Sequence, residues 1–483
     1  MKFIVKLFPE ITIKSKPVRK QFVKQLKSNI RKILKRIDDN IEVIGQWDKI
    51  EVDLPAELTD ISIDVIDALK RIPGIANILQ VTEHTYGDFD DILEKTRHTY
   101  APMIAGKTFV VRVKRAGKHD FKSIDVERYV GGGLLKLTEG KSVDLRNPEV
   151  TVKLEIRDEK LYIIEKRFEG LGGFPIGSLD TVLSLISGGF DSTVSSYLTM
   201  RRGLRTHFCF FNLGGSAHEI GVKQVSLYLW ERYGSSHKVK FITIPFEEVV
   251  AEILKSVHHS QMGVVLKRMM LRAASDVAAK MDIQALVTGE SVAQVSSQTL
   301  TNLSVIDKVT DTLVLRPLVT MDKPEIIRLS AEIGTEDFAK TMPEYCGVIS
   351  DRPTTRAKLD KIVREEERFD FAVLDKAVEE QVWVTIDQVM DSVVTVEDVE
   401  LVSTPSIDDV IIDIRHPDEA ERKPLHLTNN EIIHIPFFEL MSKAQEIDLS
   451  KRYLLYCEKG TMSQLHASHL KGEGFDNVLV YRG

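Results

Sequence analysis

Apolar residues recur along the chain with two periods, and the period changes from segment to segment. Phe3 to Phe8 reads as a strand, and Phe22, Leu26, Ile30, Ile33 and Leu34 then fall at helical spacing within residues 17–36. Alternating positions around Ile41 to Leu54 return to the strand period. A helix from about residue 61 stops at Pro73-Gly74, and strands are expected over Thr108 to Arg115 and Glu149 to Ile156. From about Gly177 short apolar runs alternate with helical stretches: Val182 to Ile186, Thr206 to Leu213, Val239 to Ile244 and Ala285 to Thr288. Such alternation predicts a doubly wound parallel sheet, with its ligand site beyond the carboxyl ends of the strands. After Ser350 charged residues dominate, as in Arg364-Glu365-Glu366-Glu367-Arg368, and residues 350–403 read as a linker. Strand and helix alternate again through Val410 to Ile414, Ile432 to Ile435, Tyr453 to Cys457 and a helix from Ser463, predicting a small C-terminal α/β domain. The whole chain reads as an α/β multidomain protein.

The 483 residues exceed what one core of about 100 to 200 residues can organise. No apolar run reaches the ~18 residues a membrane span requires. Lys6 and Glu10 break the N-terminal run before a signal-peptide core develops, so a cytoplasmic protein is expected. The net charge of −7 conceals an asymmetry: residues 1–36 carry 12 Lys or Arg against Glu10 alone, whereas residues 369–421 carry 15 Asp or Glu against Lys376 and Arg415. One polyanion cannot engage both regions. A basic run such as Lys20 and Lys24 fits either a solvated helix face or a phosphate-binding face, as does the second basic stretch around Lys114, Arg115 and Lys118, which precedes Gly131 to Gly133.

Candidate chemistry sits at two places. Val182 to Ile186 runs into Ser187-Gly188-Gly189-Phe190-Asp191-Ser192 and then into a helix, so a glycine turn aims backbone N–H groups and a helix N-terminus at one point. That arrangement suits a polyphosphate. The Gly-Lys-Ser/Thr ending of a Walker loop is absent, which disfavours transfer of a γ-phosphate. Asp191 places a carboxylate beside the phosphates and implies an intervening cation, Mg2+. The second place is Cys457, delivered by the Tyr453 to Tyr456 strand to a loop before a helix, where amides and the helix N-terminus favour a thiolate or persulfide. Glu458 opposes that and Lys459 supports it. The three cysteines, Cys209, Cys346 and Cys457, form neither a disulfide framework nor a zinc knuckle, and Cys209 reads as a core residue.

The Ser187 to Ser192 string, with Thr288-Gly289-Glu290-Ser291, Gln294, Gln298 and Lys267-Arg268 around it, resembles the pyrophosphate-loop family of nucleotide α-hydrolases over about residues 175–345. The resemblance implies ATP cleavage to AMP and pyrophosphate, with nucleotide contacts from Leu185, Ile186, Ser187, Gly188, Gly189, Ser192, Lys267, Gly289 and Gln298. Val410 to Arg415, His434-Ile435-Pro436 and the cysteine loop resemble a rhodanese domain over residues 404–483, although Thr461-Met462-Ser463 stands where an arginine commonly closes that loop. The departure favours a protein persulfide donor, a cysteine desulfurase, over free thiosulfate. Ile72 to Ile75, Val111 to Arg115, His119 and Val143 to Pro148 resemble a THUMP RNA-binding domain over residues 61–165, behind a ferredoxin-like module over 1–60.

In this order the parts resemble the 4-thiouridine synthase family of tRNA sulfurtransferases. The resemblance implies ATP-dependent conversion of uridine 8 of tRNA to 4-thiouridine, with Cys457 as the persulfide and Cys346, in Met342 to Gly347, as the thiol that resolves it by a disulfide. It implies RNA contacts from Lys20, Lys24, Lys114, Arg115 and Lys118, and leaves open a second role, sulfur relay to a small carrier protein for the thiazole of thiamine. No membrane partner is expected.

Overall fold

The computed structural model describes all residues except 46–48, 214–215, 343–351, 392–398, 416, 437–439, 441–442, 445–447, 449, 459–460, 473 and 483. The chain divides into two compact units, residues 1–179 with 201–204, and residues 180–200 with 205–483.

The first unit is built on one eight-stranded sheet of β1 (Lys2–Leu7), β2 (Glu42–Gly45), β3 (Lys49–Asp53), β4 (Ile75–Thr85), β5 (Thr108–Ala116), β6 (Ser142–Val143), β7 (Val150–Arg157) and β8 (Lys160–Gly172). Their order is β2-β3-β1-β4-β8-β7-β5-β6. The boundaries expected at residues 60 and 165 do not divide it. β4 pairs with β1 on one side and with β8 on the other, so the ferredoxin-like and THUMP parts share a continuous ladder. The apolar face of the helix Lys16–Leu34 buries Phe22, Leu26 and Ile30 against Phe3, Val5 and Val52. The helices Phe89–Ile104 and Ser123–Leu137 cover Val111, Leu154 and Ile163. Gly131 to Gly133 lie inside the second of these helices, where each glycine costs about 1 kcal/mol relative to alanine. At Gly133 a Cβ would come 2.2 Å from the Leu93 side chain, so the glycine permits the close crossing of the two helices.

The second unit holds two sheets. β9 (Thr181–Leu185), β10 (Arg205–Asn212), β11 (Lys240–Pro245), β12 (Ala285–Val287), β13 (Leu313–Leu315) and β14 (Val382–Thr385) lie in the order β13-β12-β9-β10-β11-β14. All but β14 run parallel, and the order reverses direction at β9, which places a crevice at its carboxyl end. β15 (Leu401–Val402), β16 (Val410–Asp413), β17 (Ile432–His434), β18 (Tyr453–Tyr456) and β19 (Val478–Tyr481) form a parallel sheet in the order β15-β19-β18-β16-β17.

The segment read as a charged linker is largely folded into this unit. The helices Leu359–Glu366 and Ala372–Glu379 contribute Ile362, Leu374, Ala377 and Val378 to the main core, and β14 closes the sheet edge, antiparallel to β11. The charges misled because their partners are remote in sequence. Glu366 receives two bonds from Arg268, at 2.5 and 2.9 Å, with both side chains buried, and Glu365 accepts the His258 N–H. Glu366→Ala leaves the Arg268 guanidinium buried and uncompensated, so denaturant unfolding of this unit should lose about 3 to 5 kcal/mol of stability. A loss below about 1 kcal/mol, the value of an exposed pair, would contradict the assignment.

Candidate nucleotide and sulfur sites

The loop after β9 is held open by its own side chains. Gly188 has φ +83°, the left-handed region, and a Cβ there would also lie 2.9 Å from the Met342 sulfur. Ser192 Oγ accepts the Ser187 N–H at 3.1 Å and donates to the Gly189 carbonyl at 3.2 Å, which closes the loop into a ring. His218 lies with Nε2 3.0 Å from the Ser187 carbonyl oxygen. Burial pushes the His218 pKa down and this bond opposes the shift only in part; facing a carbonyl oxygen, Nε2 is the donor. The helix Phe190–Arg201 faces the sheet with small hydroxyl residues, Ser192, Thr193, Ser195, Ser196 and Thr199, all buried. Ser196 meets Ser184 of β9 at 2.8 Å and Thr199 meets Thr206 of β10 at 3.1 Å, so the helix is close to the sheet without orphaned hydroxyls.

The loop after β12 lies against this turn. A Cβ on Gly289 would fall 2.6 Å from the carbonyl carbon of Asp191 and 2.8 Å from the Ser192 nitrogen, so only glycine allows the contact. Ala293, with φ +66°, then turns the chain so that Gln294 Nε2 donates to Asp191 Oδ2 at 2.8 Å. The other oxygen of Asp191 pairs with Lys323 at 2.9 Å. Glu290 binds Lys267 at 2.7 Å, Arg316 at 2.8 Å and the Thr288 hydroxyl at 3.1 Å. Burial raises the Glu290 pKa, but the Lys267 and Arg316 cations outweigh it and hold the carboxyl below the usual carboxylate range. Lys267 is therefore anchored with its charge partly neutralised.

These elements enclose a cavity of about 430 Å3. Leu185, Ile186, Ser187, Gly189, Asp191, Ser192, Lys267, Gly289 and Gln298 all line it. Gly188 does not line it and serves the turn behind. Phe211, Val264 and Met270 belong to one apolar cluster in its lining, and Gln294 and Lys323, both bonded to Asp191, form a polar one. The amide oxygens of Gln294 and Gln298 are shielded from solvent and have no partner among the described residues, as expected of groups that await a ligand. Lys323, Arg316 and His218 were missed from the sequence. Lys323 carried a faint signal, since a lysine in the first turn of the helix Lys323–Ile333 opposes the helix dipole.

Magnesium fits this site in one way. Among the described residues no three His, Cys, Asp or Glu side chains gather around a point, and both Asp191 oxygens already have partners. Mg2+ commonly binds through one or two carboxylates plus substrate phosphates. The residues therefore suit an ion that arrives on nucleotide phosphates, and Lys323 is a cation beside Asp191 that the sequence had not revealed.

At the other chemical centre β18 delivers Cys457 to the start of the helix Thr461–Gly472. The Ser463 N–H points to Sγ at 3.3 Å and its hydroxyl lies 3.4 Å away. Cys457 is 9% exposed. Lys423 pairs with Glu458 at 2.8 Å and so offsets the neighbouring carboxylate that opposes a thiolate. Arg415 is buried in a pair with Asp413 at 2.6 Å, its guanidinium 5.0 Å from the Tyr456 ring centre. Cys209 is fully buried and burial alone pushes its thiol pKa far up, as suits a core residue. Cys346 lies outside the described residues, as does Lys459.

In the first unit Lys20 and Lys24 are exposed on the helix Lys16–Leu34, and Lys114 and Lys118 are exposed on β5 and the turn after it. Arg115 turns inward, donating to the His119 carbonyl at 3.4 Å and lying 5.7 Å from the Phe121 ring centre, so it shapes the turn.

Four family models match successive parts of the chain. The thiamine biosynthesis protein (ThiI) family model matches residues 177–371, the ThiI ferredoxin-like domain residues 2–78, the THUMP domain residues 86–164 and the rhodanese-like domain residues 399–483. The chain is 54% identical over 481 residues to the tRNA sulfurtransferase of Marinobacter nauticus, covering all of this chain and 99% of that one. It is 56% identical over 485 residues to that of Shewanella piezotolerans, covering both completely. A crystal structure of a 4-thiouridine synthetase–RNA complex with bound ATP superposes with a TM-score of 0.70 at 27% identity, over 80% of this chain and 99% of that one. The chain belongs to the tRNA sulfurtransferase family.

Proposed function

We propose that the protein uses ATP to replace the 4-oxygen of a tRNA uridine with sulfur carried on Cys457, giving 4-thiouridine at position 8. The observation that carries this reading is the cavity at the carboxyl end of β9, whose lining combines an apolar cluster suited to a base with a polar one suited to phosphates, in a chain that also presents a cysteine at a helix N-terminus. Uracil O4 is a poor leaving group. Attack of O4 on the α-phosphorus of ATP expels pyrophosphate and leaves AMP as the leaving group on C4. Leu185, Ile186, Lys267, Gly289 and Gln298 hold the nucleotide, and the Ser187 to Ser192 loop meets its phosphates through the amides that are not already bonded within it. Magnesium bound to those phosphates would neutralise part of their charge, and Asp191 is the residue of the loop that would face it.

The terminal sulfur of the Cys457 persulfide then attacks C4 and AMP departs. The sulfur remains joined to Cys457 through an S–S bond. The thiolate of Cys346 attacks the Cys457 sulfur, freeing 4-thiouridine and leaving a Cys346–Cys457 disulfide that a cellular dithiol reduces before the next turnover. A cysteine desulfurase reloads Cys457. Lys20, Lys24, Lys114 and Lys118 contact RNA phosphates, which position a folded RNA by shape. The setting is the cytoplasm, where tRNA resides. Relay of the same sulfur to a small carrier protein for thiazole is a second role, favoured by the thiamine description of the matching family model. Labelled sulfur recovered in a carrier-protein thiocarboxylate would establish it.

Asp191→Ala should abolish tRNA-dependent pyrophosphate release while Cys457 still accepts labelled sulfur from a desulfurase; undiminished release would contradict the role of the loop. Cys457→Ala should lose desulfurase-driven thiolation by at least about 100-fold, the scale for loss of a nucleophile, with tRNA binding unchanged. Full thiolation by that variant would remove Cys457 from the path. Mass spectrometry after one turnover without reductant should find a Cys346–Cys457 peptide, and its absence would exclude Cys346 as the resolving thiol.

A further inference from the structure

One face of the helix Ser216–Leu229 makes three contacts that belong to different parts of the second unit. His218 meets the Ser187 carbonyl of the phosphate loop at 3.0 Å. At Gly221 a Cβ would lie 2.4 Å from the Met342 methyl, so Met342 rests on the helix backbone there. Gln224 meets His466 Nε2 through its amide nitrogen at 2.9 Å. Positions three apart are neighbours on a helix, so His218, Gly221 and Gln224 follow one another around it over an arc of about 120°. His466 lies on the Thr461–Gly472 helix, whose Ser463 N–H points at the Cys457 sulfur. A single helix thus touches the phosphate loop at one end and, about 9 Å further along at 1.5 Å per residue, the helix that carries the sulfur site.

The Gln224–His466 pair is buried, with 7% and 5% exposure, and Gln224 lines no part of the nucleotide cavity. Two polar groups withdrawn from water gain little over an apolar pair of the same size, yet they tolerate misalignment poorly, because a displaced partner leaves a buried polar group unsatisfied. Such a pair selects one pose.

We propose that Gln224 and His466 are positioning residues that dock the rhodanese-like domain on the Ser216–Leu229 helix in its sulfur-delivering pose, an inference that rests on the sulfur transfer proposed above. Neither residue lines the nucleotide cavity, and the bonds to the Cys457 sulfur come from Ser463. Their loss therefore slows delivery without altering what precedes it.

The test uses full-length Gln224→Leu and His466→Leu with Cys457 preloaded with labelled sulfur by a desulfurase. Single-turnover transfer to tRNA should fall about tenfold in each, the scale for one lost buried hydrogen bond, while loading stoichiometry and tRNA-dependent pyrophosphate release stay at the parent level. Gln224→Glu, which can still bond the imidazole, should restore most of the rate. Transfer at the parent rate in both leucine variants overturns the docking role. Loss of loading or of pyrophosphate release along with transfer also overturns it, since the pair would then be a folding contact. A parent chain that loads Cys457 and never labels tRNA contradicts the sulfur transfer itself, which separates that failure from failure of the docking contact.

Discussion

The close approach of Gly289 to the backbone of Asp191 and Ser192 is the constraint on which the nucleotide site depends. A methyl group at this point would lie 2.6 Å from a carbonyl carbon, so the loop after β12 and the turn after β9 either meet through a glycine or separate. Because they meet, Gln294 reaches Asp191 and Glu290 anchors Lys267 from the same short loop. The left-handed Ala293 is the local strain that this placement entails, of order 1 to 3 kcal/mol. The buried hydroxyls of the Phe190–Arg201 helix answer the same requirement from the other side, since bulkier residues would lift the loop off the sheet.

Charge is arranged with equal economy. The polar part of the cavity lining has Asp191 matched by Lys323, and Lys267 matched by Glu290, which Arg316 in turn supports. With each ion paired before ligand arrives, the site avoids an isolated buried charge, whose cost would exceed the marginal stability of a domain.

The sequence disclosed what is contiguous and concealed what is not. Ser187 to Ser192 could be read because strand, glycine turn and helix follow one another, and Cys457 because its strand and helix flank it. Lys323 could not, because it stands 132 residues from Asp191 and only the fold joins them. Glu365 and Glu366 were read as solvated for the same reason, their partners His258 and Arg268 being 107 and 98 residues away. Gly131 to Gly133 suggested nothing helical, yet the crossing with Leu93 requires at least one of them. The shared ladder of β4 and β8 was also invisible, since pairing of strands far apart in sequence leaves no local period. Strand and helix types were legible where the hydrophobic period was clean; domain limits were not.

The proposed reaction fixes the fate of a single atom, the uridine 4-oxygen. In tRNA carrying 18O at the 4-position of the target uridine, activation of that oxygen by ATP followed by its displacement by sulfur sends the label into AMP. Mass spectrometry of the nucleotide products after a single turnover should find one 18O in AMP and none in pyrophosphate. Label recovered in water, or retained in the thiolated tRNA, would contradict the account.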